Sequence, residues 1–241
     1  EVTGNLSDEV LRNLGERLTY LRNLEERKQE IIRLIDEQGK LTEELTNAIN
    51  NSMILAEIED IYRPYKQKKR TRATIAKEKG LEPLANIIYI QNEKKDIYEI
   101  AKQYINEEKG VKTEEEAIAG ALDIIAENIA DNAEYRKQIK AICFKEAVII
   151  TKAVKDEKSP YEMYYEFAET IKTLPSHRIL AINRGEKEEF LKVKLEKPEE
   201  KILNIIKSDI IKSNTQFTKL LEDTILDSYK RLIEPSIDRE I

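Results

Sequence analysis

A cluster of positive charge lies in the first third of the chain. The stretch "RPYKQKKRTR", residues 63 to 72, has six Lys or Arg residues in ten positions. Guanidinium and ammonium groups on a loop bind phosphate oxygens, and each neutralised phosphate releases counterions. Tyr62 and Tyr65 flank the stretch, where they could stack on the bases of a single strand. This pattern predicts contact with a nucleic-acid backbone through the following side chains: Arg63, Lys66, Lys68, Lys69, Arg70 and Arg72.

The same stretch also suits a protein-docking surface. The chain has 41 Lys and Arg residues against 47 Asp and Glu, for a net charge of −6, yet residues 61 to 80 contain eight basic residues and one acidic residue. Local charge, rather than total charge, decides whether a polyanion is attracted. These cations could equally pair with acidic groups on a neighbouring domain or on another protein. The sequence leaves both interpretations open.

The residues that catalysis needs are scarce. The chain has one His and one Cys, it contains no Gly-rich phosphate loop, and no pair of His residues stands at metal-ligand spacing. Ser176 and His177 are neighbours, and neighbours on a helix do not face each other. Cys143 lies among apolar residues and is expected to be a small core side chain. We therefore expect a protein that is not an enzyme and that binds no metal and no cofactor.

A second unusual string is "SHRILAINRGE", residues 176 to 186. Its basic residues lie among Ile and Leu, and an Arg in that setting either anchors a packing junction or reaches an acidic partner. Gly185 is expected to form a turn after Arg184. We expect a structural junction formed by His177, Arg178 and Arg184.

The remaining pattern predicts an all-α fold, a multi-helix assembly with a helix-turn-helix-like unit and at most one short β element. Capping residues such as Ser7, Thr42 and Thr113 precede apolar residues at three- and four-residue steps. The exception is residues 190–195, where Leu and Val alternate with Lys, as in a strand. A strand needs a partner. Either "RILAIN", residues 178–183, or a further domain could supply it.

Three regions follow from these elements. Residues 1–92 are expected to form a helical amino-terminal region, incomplete at its start because the chain lacks an initiator Met. Residues 93–158 are expected to form the helix-turn-helix-like three-helix unit, and residues 159–241 a helical central region with the short strand at 190–195. A single Cys excludes an internal disulfide and no apolar run is long enough to span a bilayer, so a cytoplasmic location without membrane contact is expected.

Long stretches of this sequence resemble a known family. The strings "EDIYRPYKQKKRTRATIAKEKGLEPLA", residues 59 to 85, and "LPSHRILAINRGEKEEFLKVKLE", residues 174 to 196, are similar to the bacterial transcription accessory proteins called Tex. The opening 32 residues and the segment "AIAGALDIIAENIADNAEYRK", residues 117 to 137, resemble the same family. The resemblance extends over essentially the whole chain in order.

The resemblance implies a role in transcription. In this family the corresponding region is helical, and an RNase H-like domain, helix-hairpin-helix modules and an RNA-binding OB-fold domain follow it. It implies a cytoplasmic helical scaffold whose partners are the RNA or DNA backbone, the other domains of the full-length protein and the transcription machinery. Nucleic-acid contact by this part is expected to be auxiliary, weak and independent of base sequence. The alternative is a protein-interaction scaffold without direct nucleic-acid binding.

Overall fold

The computed structural model describes residues 7–66, 70–155 and 157–241, and the chain divides into two compact units, residues 1–68 and 69–241. Both units are predominantly helical, as the sequence predicts, and strands occur in one small sheet. Within the described ranges, no helix combines the length and the apolar character needed to cross a membrane. The all-α class is therefore confirmed.

Unit 1, residues 1–68, is built on one long helix. Helix α1 (Asp8–Asp36) packs on α2 (Glu43–Asn51) and α3 (Leu55–Tyr62), and a 3₁₀ turn (Arg63–Tyr65) follows. Arg63, the residue before Pro64, keeps right-handed helical angles (φ −50°, ψ −43°), and the chain tightens there from α3 into the 3₁₀ turn. The buried core of unit 1 consists of Leu24, Ile31, Ile35, Ile49, Ile58 and Tyr62.

The predicted helix caps in unit 1 are confirmed. Ser7 caps α1 by accepting a hydrogen bond from the Val10 backbone N–H at 3.4 Å, and Thr42 caps α2 in the same way. Gly39 adopts a φ of 64°, a left-handed conformation that glycine reaches without strain. These local signals fix where α1 stops and where α2 begins.

Unit 2, residues 69–241, surrounds one buried helix. Helix α7 (Glu114–Asp131) lies at its centre, because seven other helical elements of the described residues pack on it and eight of its residues are buried. Besides α7, the α-helices described in unit 2 are α4 (Arg72–Glu78), α5 (Glu82–Ile90), α6 (Ile97–Ala101), α8 (Ala133–Glu146), α9 (Ser176–Lys187), α10 (Glu199–Ile210), α11 (Thr218–Asp227) and α12 (Glu234–Ile237), and a π-helical segment (Ser228–Ile233) precedes α12.

A three-stranded antiparallel sheet lies in the same unit. Its strands are β1 (Val148–Ala153), β2 (Glu166–Thr170) and β3 (Leu191–Glu196), in the order β2-β1-β3. The predicted strand at 190–195 is confirmed as β3. Its partner is β1, which the sequence did not predict to be a strand. The candidate partner "RILAIN" was wrong, because residues 178–183 lie inside α9.

Gly185 does not form the expected turn. It lies inside α9, and a Cβ atom added there would come within 2.6 Å of Leu191 Cδ1 and 3.1 Å of Tyr161 Cγ. The glycine therefore lets α9 approach β3 closely. This contact belongs to a second core of unit 2, which contains Tyr161, Tyr164, Leu174, Ile182 and Leu191.

Gly120 has a similar role in the main core. A Cβ atom at Gly120 would lie 2.4 Å from Leu81 Cδ1 and 3.3 Å from Ala76 Cβ. The buried residues Ala73 and Ala76 of α4 are small, so α4 packs against α7 at short range. The position of α4 in unit 2 thus depends on Gly120.

We expect Gly120→Val to destabilise unit 2 by about 1–3 kcal/mol, because the added methyl groups overpack the α4–α7 contact. The matched change Gly15→Val, at a helical glycine of α1 with nothing within 4 Å of its Cβ position, is expected to alter stability by no more than about 0.5 kcal/mol. Urea unfolding of both variants measures the difference. Equal effects at the two glycines would contradict the close packing at Gly120.

Candidate nucleic-acid interface

The unit boundary falls inside the predicted basic stretch. In unit 1, Arg63 is half-buried in the 3₁₀ turn and Lys66 is exposed just after it. Lys68 and Lys69 lie outside the described residues. The remaining two cations, Arg70 and Arg72, belong to unit 2, so the described members of the predicted set are divided between the two units.

The aromatic residues of the stretch lie in the core of unit 1. Tyr62 is only 6% exposed, and the guanidinium carbon of Arg27 lies 5.6 Å from the centre of its ring. Tyr65 is half-buried and packs on the same core. Base stacking on Tyr62, which the sequence suggested, is therefore excluded in this conformation.

In unit 2, Arg70 and Arg72 project into solvent on either side of a helix cap. Thr71 Oγ1 accepts a hydrogen bond from the Thr74 N–H at 3.0 Å, and Thr74 Oγ1 accepts one from the Thr71 N–H at 2.5 Å. This reciprocal cap fixes the first turn of α4. Arg70 and Arg72 are thus held on an ordered helix start rather than on an unconstrained loop.

Carboxylates lie near both arginines. Arg70 Nη2 is 2.9 Å from Glu78 Oε2, in an ion pair whose side chains are 70% and 59% exposed. Burial raises the pKa of Asp123, and the positive charges of Arg231 and Arg72 partly offset that rise. An ion pair as exposed as Arg70–Glu78 contributes only about 0–1 kcal/mol. A phosphate could therefore replace Glu78 at low cost.

The three predicted junction residues occupy different environments. Arg178 Nη1 lies 2.5 Å from Glu169 Oε2, and its guanidinium carbon is 5.9 Å from the ring centre of Phe167. Both contacts tie α9 to β2. His177 and Arg184 are exposed on α9, and a junction role for these two stays a prediction.

Sequence reasoning missed a second group of cations, on the sheet. The register places Lys152 of β1 directly opposite Lys192 of β3, and it places Ile150 opposite Lys194. All three lysines are exposed. The alternation of Lys192 and Lys194 with apolar residues was the available signal. Only the pairing with β1, which is not local in sequence, brings Lys152 beside them; we call Lys152, Lys192 and Lys194 the sheet lysines.

The thiol is protected by burial. Cys143 is 0% exposed, and burial is the main reason that its pKa rises to about 11, with Lys197 lowering it slightly. A thiol in this state is a poor nucleophile at neutral pH. Across residues 7–66, 70–155 and 157–241, no group of three or more His, Cys, Asp or Glu side chains is arranged to hold a metal ion.

Comparison with protein families defines the class to which this helical assembly belongs. The family model described as Tex central region-like matches residues 92–241, more than half of the chain. The model of the Tex-like protein N-terminal domain matches residues 1–36. The chain therefore belongs to the Tex family.

Curated relatives agree with this assignment. Uncharacterized protein YdcI of Bacillus subtilis is 50% identical over 246 residues, covering 100% of this chain and 34% of the relative. Transcriptional accessory protein Tex of Neisseria gonorrhoeae is 39% identical over 198 residues, covering 81% of this chain and 26% of the relative. The human S1 RNA-binding domain-containing protein 1 is 28% identical over 262 residues, covering 100% of this chain and 26% of the relative. The chain thus spans between about a quarter and a third of these relatives.

A stability series tests the junction. Arg178→Ala is expected to cost about 0.5–1 kcal/mol, because it removes a partly exposed ion pair and a weak cation–π contact. His177→Ala and Arg184→Ala, at exposed positions of the same helix, are expected to stay within about 0.5 kcal/mol of the parent. Denaturant midpoints give these values. A loss for Arg184→Ala as large as that for Arg178→Ala would show that the contacts of Arg178 are not what holds the junction.

The Cys143 thiol is expected to react with a thiol-specific disulfide reagent at pH 8 only after unfolding, because the folded state both buries it and raises its pKa. The reaction rate in buffer and in 6 M guanidinium chloride gives the measurement. A reaction rate of the folded chain within about tenfold of that of the unfolded chain would contradict the burial of the Cys143 thiol.

Proposed function

We propose that this chain is the helical scaffold of a Tex-family transcription accessory protein and that its basic stretch makes an auxiliary contact with the backbone of RNA or DNA. Two relatives support the functional class through their names. One is called a transcriptional accessory protein and the other an S1 RNA-binding domain-containing protein. The proposal places the chain in the cytoplasm, where bacterial transcription occurs, and gives it no catalytic step.

One observation carries the proposal: an acidic chain exposes Lys66, Arg70 and Arg72 close together in sequence. Arg70 has a carboxylate partner, but the pair is so exposed that its strength is low. Guanidinium groups bind phosphate through two parallel hydrogen bonds, which are stronger than contacts between neutral groups. A phosphate group can therefore compete with Glu78 for Arg70, because the exposed Arg70–Glu78 pair is weak.

Such contacts would position a strand without reading its sequence. Arginine and lysine contacts with phosphate are independent of base identity, whereas base recognition requires contacts with base edges or stacking. Of the two tyrosines of this region, Tyr62 is buried and Tyr65 is half-buried against the core of unit 1. We therefore infer a backbone contact that is weak alone and that adds to binding elsewhere in a longer protein.

A second candidate, the protein-interaction scaffold, is favoured by a different observation. The first half of α1 exposes large apolar side chains at four- and three-residue steps, which is the spacing of one helix face. Exposed apolar rows of this kind mark surfaces that another protein segment covers. The exposed residues are Val10, Leu14, Leu18 and Leu21.

Salt-dependent binding of a labelled single strand to the 241-residue chain tests the proposal. For the parent, the logarithm of the association constant should fall linearly with the logarithm of salt concentration, by about 0.7 for each phosphate contact. The variant Arg70→Ala/Arg72→Ala should reduce that slope by about 1.4. Glu78→Gln should strengthen binding, because it removes the carboxylate that competes for Arg70.

The matched control is Lys212→Ala/Lys219→Ala, which removes two exposed cations from another part of unit 2. This control should leave the slope unchanged. If the Arg70/Arg72 variant and the control behave alike, these arginines are not the contact. If the parent does not bind at low salt at all, the scaffold interpretation replaces the proposal.

A further inference from the structure

The sheet holds like charges against each other. Residues directly opposite on antiparallel strands point to the same face with Cβ atoms about 4.5–5.5 Å apart. Lys152 and Lys192 are such a pair. Lys194 is on the same face, because it lies two residues along β3 from Lys192 and side chains alternate between faces. The fold thus gathers three ammonium groups on one surface.

Several lysines elsewhere in unit 2 form ion pairs with carboxylates. Lys201 Nζ lies 2.5 Å from Glu146 Oε1, and Lys207 Nζ lies 3.3 Å from Glu222 Oε1. By contrast, no described carboxylate forms an ion pair with any of the sheet lysines. Like charges directly opposite on a sheet are destabilising. A chain with more acidic than basic residues nevertheless leaves these three lysines without an ion pair to a described carboxylate, although Glu166 lies opposite Lys152.

The face that bears the sheet lysines is open. The other face of the sheet is packed, with Thr151 at 1% and Leu191 at 2% exposed. On the lysine face, the positions between the cations are the exposed Ala168 and the half-buried Ile150. The acidic residues of this face lie at its margins: Glu166 on β2, opposite Lys152, and Glu196 at the end of β3, opposite Val148.

We propose that the sheet lysines bind the phosphates of a single-stranded nucleic acid, as a contact separate from the basic stretch. The choice of nucleic acid over an acidic protein follows from the surface, and it rests on the proposed function. Protein interfaces need buried aromatic or aliphatic anchors at their centre. Among the described residues, the apolar side chains of this face are the exposed Ala168 and the half-buried Val148 and Ile150, and none is aromatic or fully buried. A flat row of ammonium groups instead suits a polymer with regularly spaced charges.

At this site the charge that would bind RNA also lowers the stability of the sheet. The variant Lys192→Glu should therefore change the two properties in opposite directions. The new carboxylate would face Lys152 and form a cross-strand ion pair, so the midpoint of thermal unfolding should rise by about 1–4 °C. The same change should weaken binding of a labelled single-stranded RNA more than Lys192→Ala does. Lys152→Ala/Lys192→Ala/Lys194→Ala should lower the salt slope by about 2.

The matched control is Lys219→Glu, a charge reversal on α11 that breaks the exposed pair with Asp223. It should lower the unfolding midpoint slightly and leave RNA binding unchanged. Lys192→Glu with reduced stability and intact RNA binding would overturn the proposal, because the lysine would then be structural. A polyglutamate peptide that binds the parent in place of RNA, and is lost in the triple variant, would also overturn it in favour of an acidic protein.

The same titrations separate this inference from the proposed function. If the triple variant keeps the parent slope while Arg70→Ala/Arg72→Ala lowers it, the sheet site is wrong and the basic-stretch contact stands. If only the triple variant lowers the slope, the sheet site stands and the basic stretch is not the contact. If the parent does not bind RNA, both are wrong.

Discussion

The close packing of α4 on α7 is the constraint that sets the positions of Arg70 and Arg72 in unit 2. Helix α7 buries Ala117, Ala121 and Ala130 together with four isoleucines. The small alanine side chains let neighbouring helices approach its backbone closely at this surface. Gly120 extends that surface, and Leu81 fills the space above it. Because both faces of α4 cannot be buried, its capped start projects Arg70 and Arg72 outward. The position of these cations is therefore a consequence of core packing, not of a loop.

Buried and exposed cations of this molecule differ in their need for a carboxylate partner. Buried cations have partners: the Lys197 side chain is 4% exposed and lies 3.1 Å from Glu234 Oε1, and the fully buried Arg136 pairs with Glu240 at 2.5 Å. A buried charge without a partner would cost several kcal/mol, so these pairs are needed to place the helices around them. An exposed cation is solvated by water and needs no carboxylate partner. The sheet lysines form no ion pair with a described carboxylate in a chain that has more acidic than basic residues, which is the physical basis for the proposal that they bind a ligand.

Much of the helical framework could be predicted from local signals. The caps at Ser7, Thr42 and Thr113 and the glycine stops mark helix ends through hydrogen bonds that lie within a few residues, so a sequence window contains them. The strands β1 and β2 were not predicted because their stability comes from pairing with each other and with β3. "VIITKA" has no alternation of its own and continues an apolar helix pattern.

The candidate sites, too, differ in whether they depend on local sequence or on contacts between residues distant in the chain. The basic stretch is visible as composition, so the sequence identified it, but the burial of Tyr62 and the Arg70–Glu78 pair depend on packing across several turns. The contact of Arg178 with Glu169 and the pairing of Lys152 with Lys192 both need the sheet register. No spacing rule places residues 40 positions apart on one face without that register. The sheet lysines could therefore be found only from the structure.

The most direct measurement is lysine acetylation of the chain with and without a single-stranded RNA, read residue by residue by mass spectrometry. Our account predicts protection of Lys66 and of the sheet lysines, with Lys212 and Lys219 modified equally in both states. Uniform modification of all these lysines, or protection of Lys212 and Lys219 to the same degree, would contradict the claim that this acidic chain concentrates its exposed positive charge to hold a nucleic-acid backbone.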